Sequence, residues 1–157
     1  MLKADDPVPE FSLKGSDGKT YSPKSLRGKK WVLYFYPKDM TPGCTREACD
    51  FTDNIQRFVA GNTIVLGVSG GSMDSKKKFI EESSIGFPLL ADEDFLLAKA
   101  FGSWGEKKNY GKTYMGLIRS TFLVNESGRI EKVWSNVKVD GHVDKVLDAL
   151  YSLVPSK

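Results

Sequence analysis

The chain has 157 residues, of which 40% are hydrophobic and 27% charged, and its formal net charge is +3. This composition predicts one globular domain over residues 1–157, and so small a charge argues against a nucleic-acid partner. No apolar run reaches the roughly 20 residues of a membrane span, and the N-terminus lacks the apolar core of a signal peptide. Two cysteines are too few for a disulfide scaffold, so we expect a cytoplasmic protein with no membrane partner.

The first half of the chain alternates strand patterns with helix patterns. Four segments have strand character, two of them short and two long and apolar: residues 11–13, 20–21, 31–36 and 62–69. The two short segments flank a turn-rich sequence, which predicts an N-terminal β-hairpin. The two apolar segments are typical of strands buried on both faces. A short helix from Ser22 to about Arg27 is predicted between the two pairs.

A helix is predicted directly after the strand at residues 31–36. Pro37 cannot donate to a strand ladder and should end that strand, while Thr41 and Pro42 have the character of an N-cap and a first helical residue. Cys44 would then lie in the first turn, where backbone N–H groups lack helical partners. An apolar stripe extends this helix through Phe58; its members are Cys44, Ala48, Phe51, Ile55 and Phe58.

The middle of the chain continues the alternation. A lysine-rich helix capped by Ser72 or Asp74 is predicted up to residue 83, and its run at residues 76–78 should be a solvated face. A short apolar strand at residues 88–91 follows. Asp92 or Asp94 should then start a helix that ends near Phe101.

Residues 103–116 show neither the helix nor the strand period and are predicted to be a long loop. After it, strand patterns at 117–124 and 129–134 flank a turn sequence and predict a hairpin. The last helix should have Asp140 as its N-cap and Pro155 beyond its end. Its apolar stripe consists of Val143, Val146, Leu147, Leu150 and Leu153.

This order of elements predicts a thioredoxin-type α/β sandwich with an N-terminal β-hairpin extension and a central insertion. The right-handed crossover rule makes the two apolar strands, 31–36 and 62–69, parallel neighbours. The strand that begins near residue 117 would border the strand at 31–36 at the same carboxyl-terminal edge.

Cys44 needs help from its surroundings to be a nucleophile. An ordinary thiol with a pKa of about 8.5 is only roughly 3% thiolate at neutral pH. A helix N-terminus contributes about 0.3–1 kcal/mol to an anion, which is too little, so a nearby cation is required. Arg119 lies within the otherwise apolar residues 117–124, at the same predicted sheet edge. We expect it to act at the site, with a structural ion pair as the alternative.

Cys49 and His142 leave alternatives open. On an intact helix the Cα atoms of Cys44 and Cys49 would be about 9 Å apart, too far for a disulfide. The two thiols are therefore either unrelated or joined after the helix unwinds in a redox cycle. Two cysteines and one histidine are too few for a closed zinc site, so no metal is expected. We expect His142 to anchor the last helix rather than to form a Cys–His dyad.

Three motifs carry a resemblance to a known family: FYPKDMTPGCTREACDF at 35–51, FPLLAD at 87–92 and YGKTYMGLIRSTFLV at 110–124. With them, residues 9–150 resemble an atypical two-cysteine peroxiredoxin of the Q, or bacterioferritin-comigratory-protein, type. The family's Pro-x-x-x-Thr-x-x-Cys pattern falls on Pro37, Thr41 and Cys44, and its active-site arginine falls on Arg119.

The resemblance implies a peroxidase mechanism. Cys44 would be the peroxidatic cysteine that reduces hydrogen peroxide or organic hydroperoxides through a sulfenic acid, and Cys49 would resolve it as an intramolecular disulfide. Pro37, Pro42 and Gly43 would line the substrate pocket. Thioredoxin or a similar dithiol would be the reductant of a monomer that needs no metal or organic cofactor.

The sequence departs from the family pattern at one place. After GVS the family often has Ser-His-Lys, whereas Ser75 is followed here by Lys76, for which we expect only an altered surface. A thiol–disulfide oxidoreductase of the same fold is the first alternative, although the chain has no CxxC. A redox-sensing module is the second. A glutathione-peroxidase-like enzyme is disfavoured, because that family needs a glutamine and a tryptophan beside its nucleophile and Gln56 is the only glutamine of this chain.

Overall fold

The structure is a computed structural model that describes residues 1–152, without the side chain of Asn109. Leu153 and Pro155, which the sequence assigns to the end of the last helix, lie outside the described residues. The elements in chain order are β1 Leu13–Lys14, β2 Thr20–Tyr21, α1 Pro23–Leu26, β3 Lys30–Phe35, α2 Pro42–Asp53, α3 Ile55–Ala60, β4 Thr63–Ser69, α4 Met73–Ser83, β5 Leu89–Ala91, α5 Leu96–Phe101, β6 Trp104–Asn109, β7 Lys112–Leu117, β8 Ser120–Val124, β9 Ile130–Ser135 and α6 His142–Ser152.

The central sheet has five strands in the order β5-β4-β3-β8-β9. β3 is parallel to β4 with Lys30 opposite Thr63, and it is antiparallel to β8 with Phe35 opposite Ser120. The predicted parallel pair and the predicted α/β sandwich are therefore confirmed. The N-terminal hairpin is also confirmed, with β1 antiparallel to β2.

Helices cover both faces of this sheet, which explains the unbroken apolar run of β3. Val32 and Tyr34 pack into a core beneath α2, α3, α4 and α6. Leu33 and Phe35 point to the opposite core, which α1 and α5 cover. Burying each such side chain contributes roughly 1.5–3 kcal/mol. Within the described residues, no helix is long and apolar enough to cross a membrane.

The prediction of a loop at residues 103–116 is wrong. β6 and β7 form an antiparallel two-stranded sheet there, with Lys108 opposite Thr113. Its turn has positive φ at both Tyr110 (52°) and Gly111 (77°), as two-residue hairpin turns require. Most of β7 is exposed, so the hairpin has no alternating apolar face from which the sequence could predict it.

Two helix boundaries differ from the prediction. The helix that contains Cys44 ends at Asp53, because the chain turns at Asn54 (φ −110°, ψ 10°) before α3 begins. The next misplaced boundary is that of α5, which begins at Leu96 rather than at an aspartate. Asp92 nevertheless stabilises its first turn, because its two carboxylate oxygens accept hydrogen bonds from the N–H groups of Leu97 and Ala98.

The second half of the chain differs from the predicted elements at two further places. The strand predicted at 117–124 is two strands, since β7 ends at Leu117 and β8 begins at Ser120. Arg119 therefore lies in the link between them. Asp140 is not the N-cap of α6, which begins at His142; its carboxylate instead accepts a hydrogen bond from Arg46. The prediction that Ser72 caps α4 is confirmed, because its side chain accepts from the N–H of Ser75.

Candidate active site

The site lies where the chain passes from β3 into α2. Thr41 has extended backbone angles (φ −82°, ψ 153°) and precedes the first residue of α2, Pro42. Its side chain does not cap the helix; the hydroxyl donates instead to the carbonyl of Lys38 at 3.0 Å. The hydroxyl proton is thus engaged, and the lone pairs of the Thr41 oxygen remain able to accept a hydrogen bond.

Cys44 is the third residue of α2 and belongs to the core on that side of the sheet. Its side chain is buried, with only 2% of the residue exposed. The pairing of Phe35 with Ser120 places Arg119 beside the end of β3. There the Arg119 guanidinium donates from Nη2 to the Cys44 sulfur at 3.3 Å. The structure thus brings together a thiol at a helix N-terminus and a cation 75 residues away in the chain.

Glu47 is a site residue that the sequence analysis missed. Its carboxylate accepts from Nη1 of Arg119 at 2.6 Å and is completely buried. The other oxygen, Oε2, has no hydrogen-bond partner among the residues that the structure describes. Burial raises the pKa of Glu47 to about 7, against the lowering effect of Arg119. The available signal was its position three residues after Cys44, which puts both on one helix face.

Arg119 is the charge that joins these two groups. Burial lowers the pKa of Arg119, but Glu47 and Cys44 raise it by more, so the guanidinium stays charged. Lys107 of β6 is a second cation near the site, and its ammonium donates to the carbonyl of Leu117 at 2.8 Å. Its pKa is lowered by burial and by the positive charge of Arg119.

The predicted pocket residues lie at the end of β3 and at the start of α2, close to Cys44 in the chain. Pro37 is half-buried at the end of β3, while Pro42 and Gly43 are exposed in the first turn of α2. A methyl group at Gly43 would lie 3.5 Å from Nη2 of Arg119, so glycine leaves space beside the guanidinium. That these three residues line the substrate pocket stays a prediction.

Cys49 lies on the same helix as Cys44, and both are free thiols. Its sulfur is half-buried and makes only a weak contact with the carbonyl oxygen of Ser83 at 4.0 Å. Burial, followed by Asp53 and Asp50, raises the pKa of Cys49. This shift favours the protonated thiol in the helical conformation, and Cys49 lies five positions after Cys44 along an intact helix.

His142 is buried at the start of α6, and its hydrogen bond is made with Thr121 rather than with Cys44. Its Nε2 shares a hydrogen bond with the hydroxyl of Thr121 at 2.8 Å, and its ring packs edge-on against Phe51 and Trp134. Burial lowers the pKa of His142 to about 4. This position fits the helix anchor rather than the Cys–His dyad. Within residues 1–152, no three His, Cys, Asp or Glu side chains are grouped to hold a metal ion.

Comparison with known proteins agrees with this arrangement. A model described as the AhpC/TSA family matches residues 4–133. The chain belongs to this family. It is 49% identical to the peroxiredoxin Bcp of Bacillus subtilis over 143 residues, which cover 91% of each chain. The family resemblance drawn from the sequence motifs is therefore confirmed, and the protein is an enzyme of the peroxiredoxin, or thiol peroxidase, class.

Solved structures of peroxiredoxins superpose closely on this chain. A mutant of Xylella fastidiosa PrxQ is 34% identical with a TM-score of 0.92 and covers 99% of both chains. A Xanthomonas campestris bacterioferritin comigratory protein, described for its alkyl peroxide reduction activity, is 39% identical with a TM-score of 0.86. The match covers 94% of this chain and 98% of that one. The thioredoxin-type fold of this peroxiredoxin is thus shared over nearly its whole length.

Proposed function

We propose that this peroxiredoxin reduces hydrogen peroxide and organic hydroperoxides at Cys44, forms a disulfide between Cys44 and Cys49, and is regenerated by thioredoxin or a similar dithiol. The observation that carries the proposal is the 3.3 Å contact between Nη2 of Arg119 and the Cys44 sulfur, made at a helix N-terminus. A fixed guanidinium and the free N–H groups of the first turn both favour an anion at that sulfur.

The first step is the attack of the Cys44 thiolate on one peroxide oxygen. The S–O bond forms as the O–O bond breaks, and the leaving oxygen takes a proton from water to give water or an alcohol. Thr41 accepts a hydrogen bond from the peroxide O–H, because its own proton is directed to Lys38. Arg119 and the first-turn N–H groups stabilise the charge that develops across the O–O bond. The product at Cys44 is a sulfenic acid.

We place substrate access at the start of α2, where the residues next to Cys44 are exposed. Pro37, Pro42 and Gly43 form the walls of the pocket in this proposal, and the two prolines shield the sulfur from bulk water. Pro42 and Gly43 are exposed, so we expect room for a substituent on the peroxide. This supports organic hydroperoxides as substrates beside hydrogen peroxide, in line with the relative described for alkyl peroxide reduction.

The second step requires α2 to unwind. Among the residues that the structure describes, the hydrogen-bond contact of the Cys49 sulfur is the weak one with Ser83, so no strong hydrogen bond of this sulfur opposes the unwinding. Once released, Cys49 loses its proton and attacks the sulfur of the sulfenic acid, which expels water and leaves the disulfide. Both cysteines belong to one chain, which supports a monomer as the working unit. A dithiol then reduces the disulfide by exchange, as expected in the reducing cytoplasm.

Intact-mass analysis after one equivalent of hydrogen peroxide tests both assignments. We expect the unmodified protein to lose two hydrogen atoms, and the Cys49→Ser variant to gain one oxygen atom and then stop. The Cys44→Ser variant should not consume peroxide. A Cys49→Ser variant that still turns over fully with thioredoxin and its reductase would show that Cys49 is not the resolving cysteine.

A steady-state assay separates this enzyme from a sensor of the same fold. With thioredoxin, thioredoxin reductase and NADPH present, the unmodified protein should consume many equivalents of peroxide. A protein that reacts once and is not recycled would contradict the proposed peroxidase cycle.

A further inference from the structure

Lys76 does not belong to the solvated helix face that the lysine run predicts. The side chain is completely buried, whereas the next residue, Lys77, is exposed. Its ammonium donates to Oδ2 of Asp39 at 2.9 Å and also contacts the carbonyl oxygen of Gly70. Burying an ammonium is costly without a close counter-charge, and Asp39 supplies one. The expectation of an altered surface at this position is therefore wrong.

Asp39 is the centre of a small buried network. Its Oδ1 accepts from the hydroxyl of Tyr36 at 2.6 Å, and its Oδ2 accepts from Ser75 at 2.7 Å as well as from Lys76. Its side chain is 6% exposed. We call Tyr36, Asp39, Ser75 and Lys76 the Asp39 cluster. It ties the loop after β3 to the first turns of α4.

The Asp39 cluster lies in the same loop as Thr41, the residue proposed to accept a hydrogen bond from the peroxide. Asp39 follows Lys38, whose carbonyl accepts the Thr41 hydroxyl, and it precedes Met40, whose φ of 62° is left-handed. A left-handed residue without a glycine's freedom costs about 1–3 kcal/mol and persists only where its surroundings hold it. The Asp39 side chain in this loop is held by three hydrogen-bond donors, of which Tyr36 and Lys76 are buried.

We propose that Lys76 is a positioning residue for the attack of peroxide on Cys44. Through Asp39 it fixes the carbonyl of Lys38 and thereby the orientation of the Thr41 hydroxyl. The inference rests on the proposed function, because it concerns the same first step. At the position of the family's histidine this chain therefore has a buried lysine that holds the loop after β3 through Asp39.

The test uses Cys49→Ser as the parent, so that only the first step is observed. The rate of Cys44 oxidation by hydrogen peroxide is measured by stopped flow, and alkylation of Cys44 by iodoacetamide is measured separately. We expect Lys76→Met to slow oxidation by about 10- to 100-fold, because a misplacement of about 1 Å can cost up to roughly 100-fold in rate. Alkylation should be unchanged, because iodoacetamide does not donate a hydrogen bond to the Thr41 oxygen as the peroxide does in the proposed mechanism. Lys77→Met, an exposed neighbour with the same change of charge, should match the parent.

A second comparison separates positioning from general loosening of the fold. In a Thr41→Val background, Lys76→Met should cause no further loss, because the group that it orients is gone. Equal losses in both backgrounds, or a parallel loss of alkylation, would overturn the proposal. An oxidation rate of folded Lys76→Met equal to the parent's would do the same.

Lys76→Met leaves Asp39 as a buried charge without its partner, which is a reason for this variant to fold poorly. The double variant Asp39→Asn with Lys76→Met removes both charges, and the amide offers one acceptor oxygen and one NH2 donor to the hydroxyls of Tyr36 and Ser75, each of which can either donate or accept. The same slower oxidation is expected from it, and a parental rate would contradict the proposal. If the parent itself fails to react with peroxide, the proposed function is refuted, and with it this inference.

Discussion

Replacing Arg119 by methionine removes the cation beside the Cys44 sulfur while a side chain of similar length still fills the space. At the observed 3.3 Å, a full charge pair at an effective dielectric constant of 20 is worth about 5 kcal/mol, and in water about 1.3 kcal/mol. The guanidinium spreads its charge, which favours the lower part of this range. Loss of one donor to a developing anion typically costs about 100- to 1,000-fold in rate. We expect Arg119→Met to slow Cys44 oxidation by this factor.

The same substitution leaves Glu47 without the partner of its Oε1. Because the pKa of Glu47 is already raised to about 7 by burial, the carboxyl can take up a proton instead of remaining a buried anion. The free energy of unfolding should then fall by only about 1–3 kcal/mol. The double variant Arg119→Met with Glu47→Gln avoids even this cost and should show the same slow oxidation.

The assay is single-turnover stopped flow with hydrogen peroxide in the Cys49→Ser parent. Arg46→Met is the matched control, because Arg46 lies on the same helix as Cys44 but is mostly exposed and pairs with Asp140. This variant should oxidise at the parent's rate. If Arg119→Met and Arg46→Met oxidise equally fast, Arg119 has no part in the reaction and the electrostatic reasoning fails.

Three further predictions concern stability, each read from urea unfolding. The pKa of Glu47 is raised from 4.5 to about 7, so the contribution of Glu47 to stability is fully present below pH 4.5 and is lost as the pH rises through 7. Relative to Glu47→Gln, the free energy of unfolding should therefore fall by roughly 3 kcal/mol over that interval. A difference that does not change with pH would contradict the raised pKa. The pKa of His142 is lowered from 6.5 to about 4, so stability changes with pH in the opposite direction. Relative to His142→Gln, the free energy of unfolding should rise by roughly 3 kcal/mol from pH 4 to 6.5. Parallel pH dependences of the two proteins would contradict the lowered pKa. Asp92→Ala should lower the free energy of unfolding by about 0.5–2 kcal/mol, because two N–H groups of α5 lose their acceptors. Asp92→Asn should lower it by less, because the amide keeps one acceptor oxygen.

The sheet could be predicted from the sequence because its central strands have no polar face. β3 is buried at every residue and β4 at nearly every one, so their apolar runs indicate strands without any knowledge of partners. The hairpin of β6 and β7 carries no such signal. It lies outside the central sheet and is largely exposed, so turn geometry and backbone pairing fix it rather than an apolar face.

The site was predictable only where a residue breaks its local pattern. Cys44 stands at a helix start and Arg119 interrupts an apolar segment, so each is conspicuous in the sequence. Glu47 and Lys76 look like ordinary charged helix residues. Their burial depends on partners 72 and 37 residues away, which local patterns cannot indicate. The histidine expected by the family pattern at position 76 was the single hint that this position deserved a structural explanation.

The two buried ion pairs of the site differ in what the proposed cycle does to them. Asp39 precedes α2, so the pair with Lys76 can persist while the helix unwinds. Glu47 lies between Cys44 and Cys49, so its pair with Arg119 must break when the two sulfurs meet. Oxidation itself prepares that break, because a sulfenic acid is neutral and no longer attracts Arg119 as a thiolate does. The reaction thus removes one of the two attractions that hold the first turn of α2 against Arg119, and the remaining one depends on a carboxyl group whose pKa is about 7. Because protonation of that carboxyl would weaken its attraction to Arg119, α2 should unwind more readily after peroxide has reacted than before.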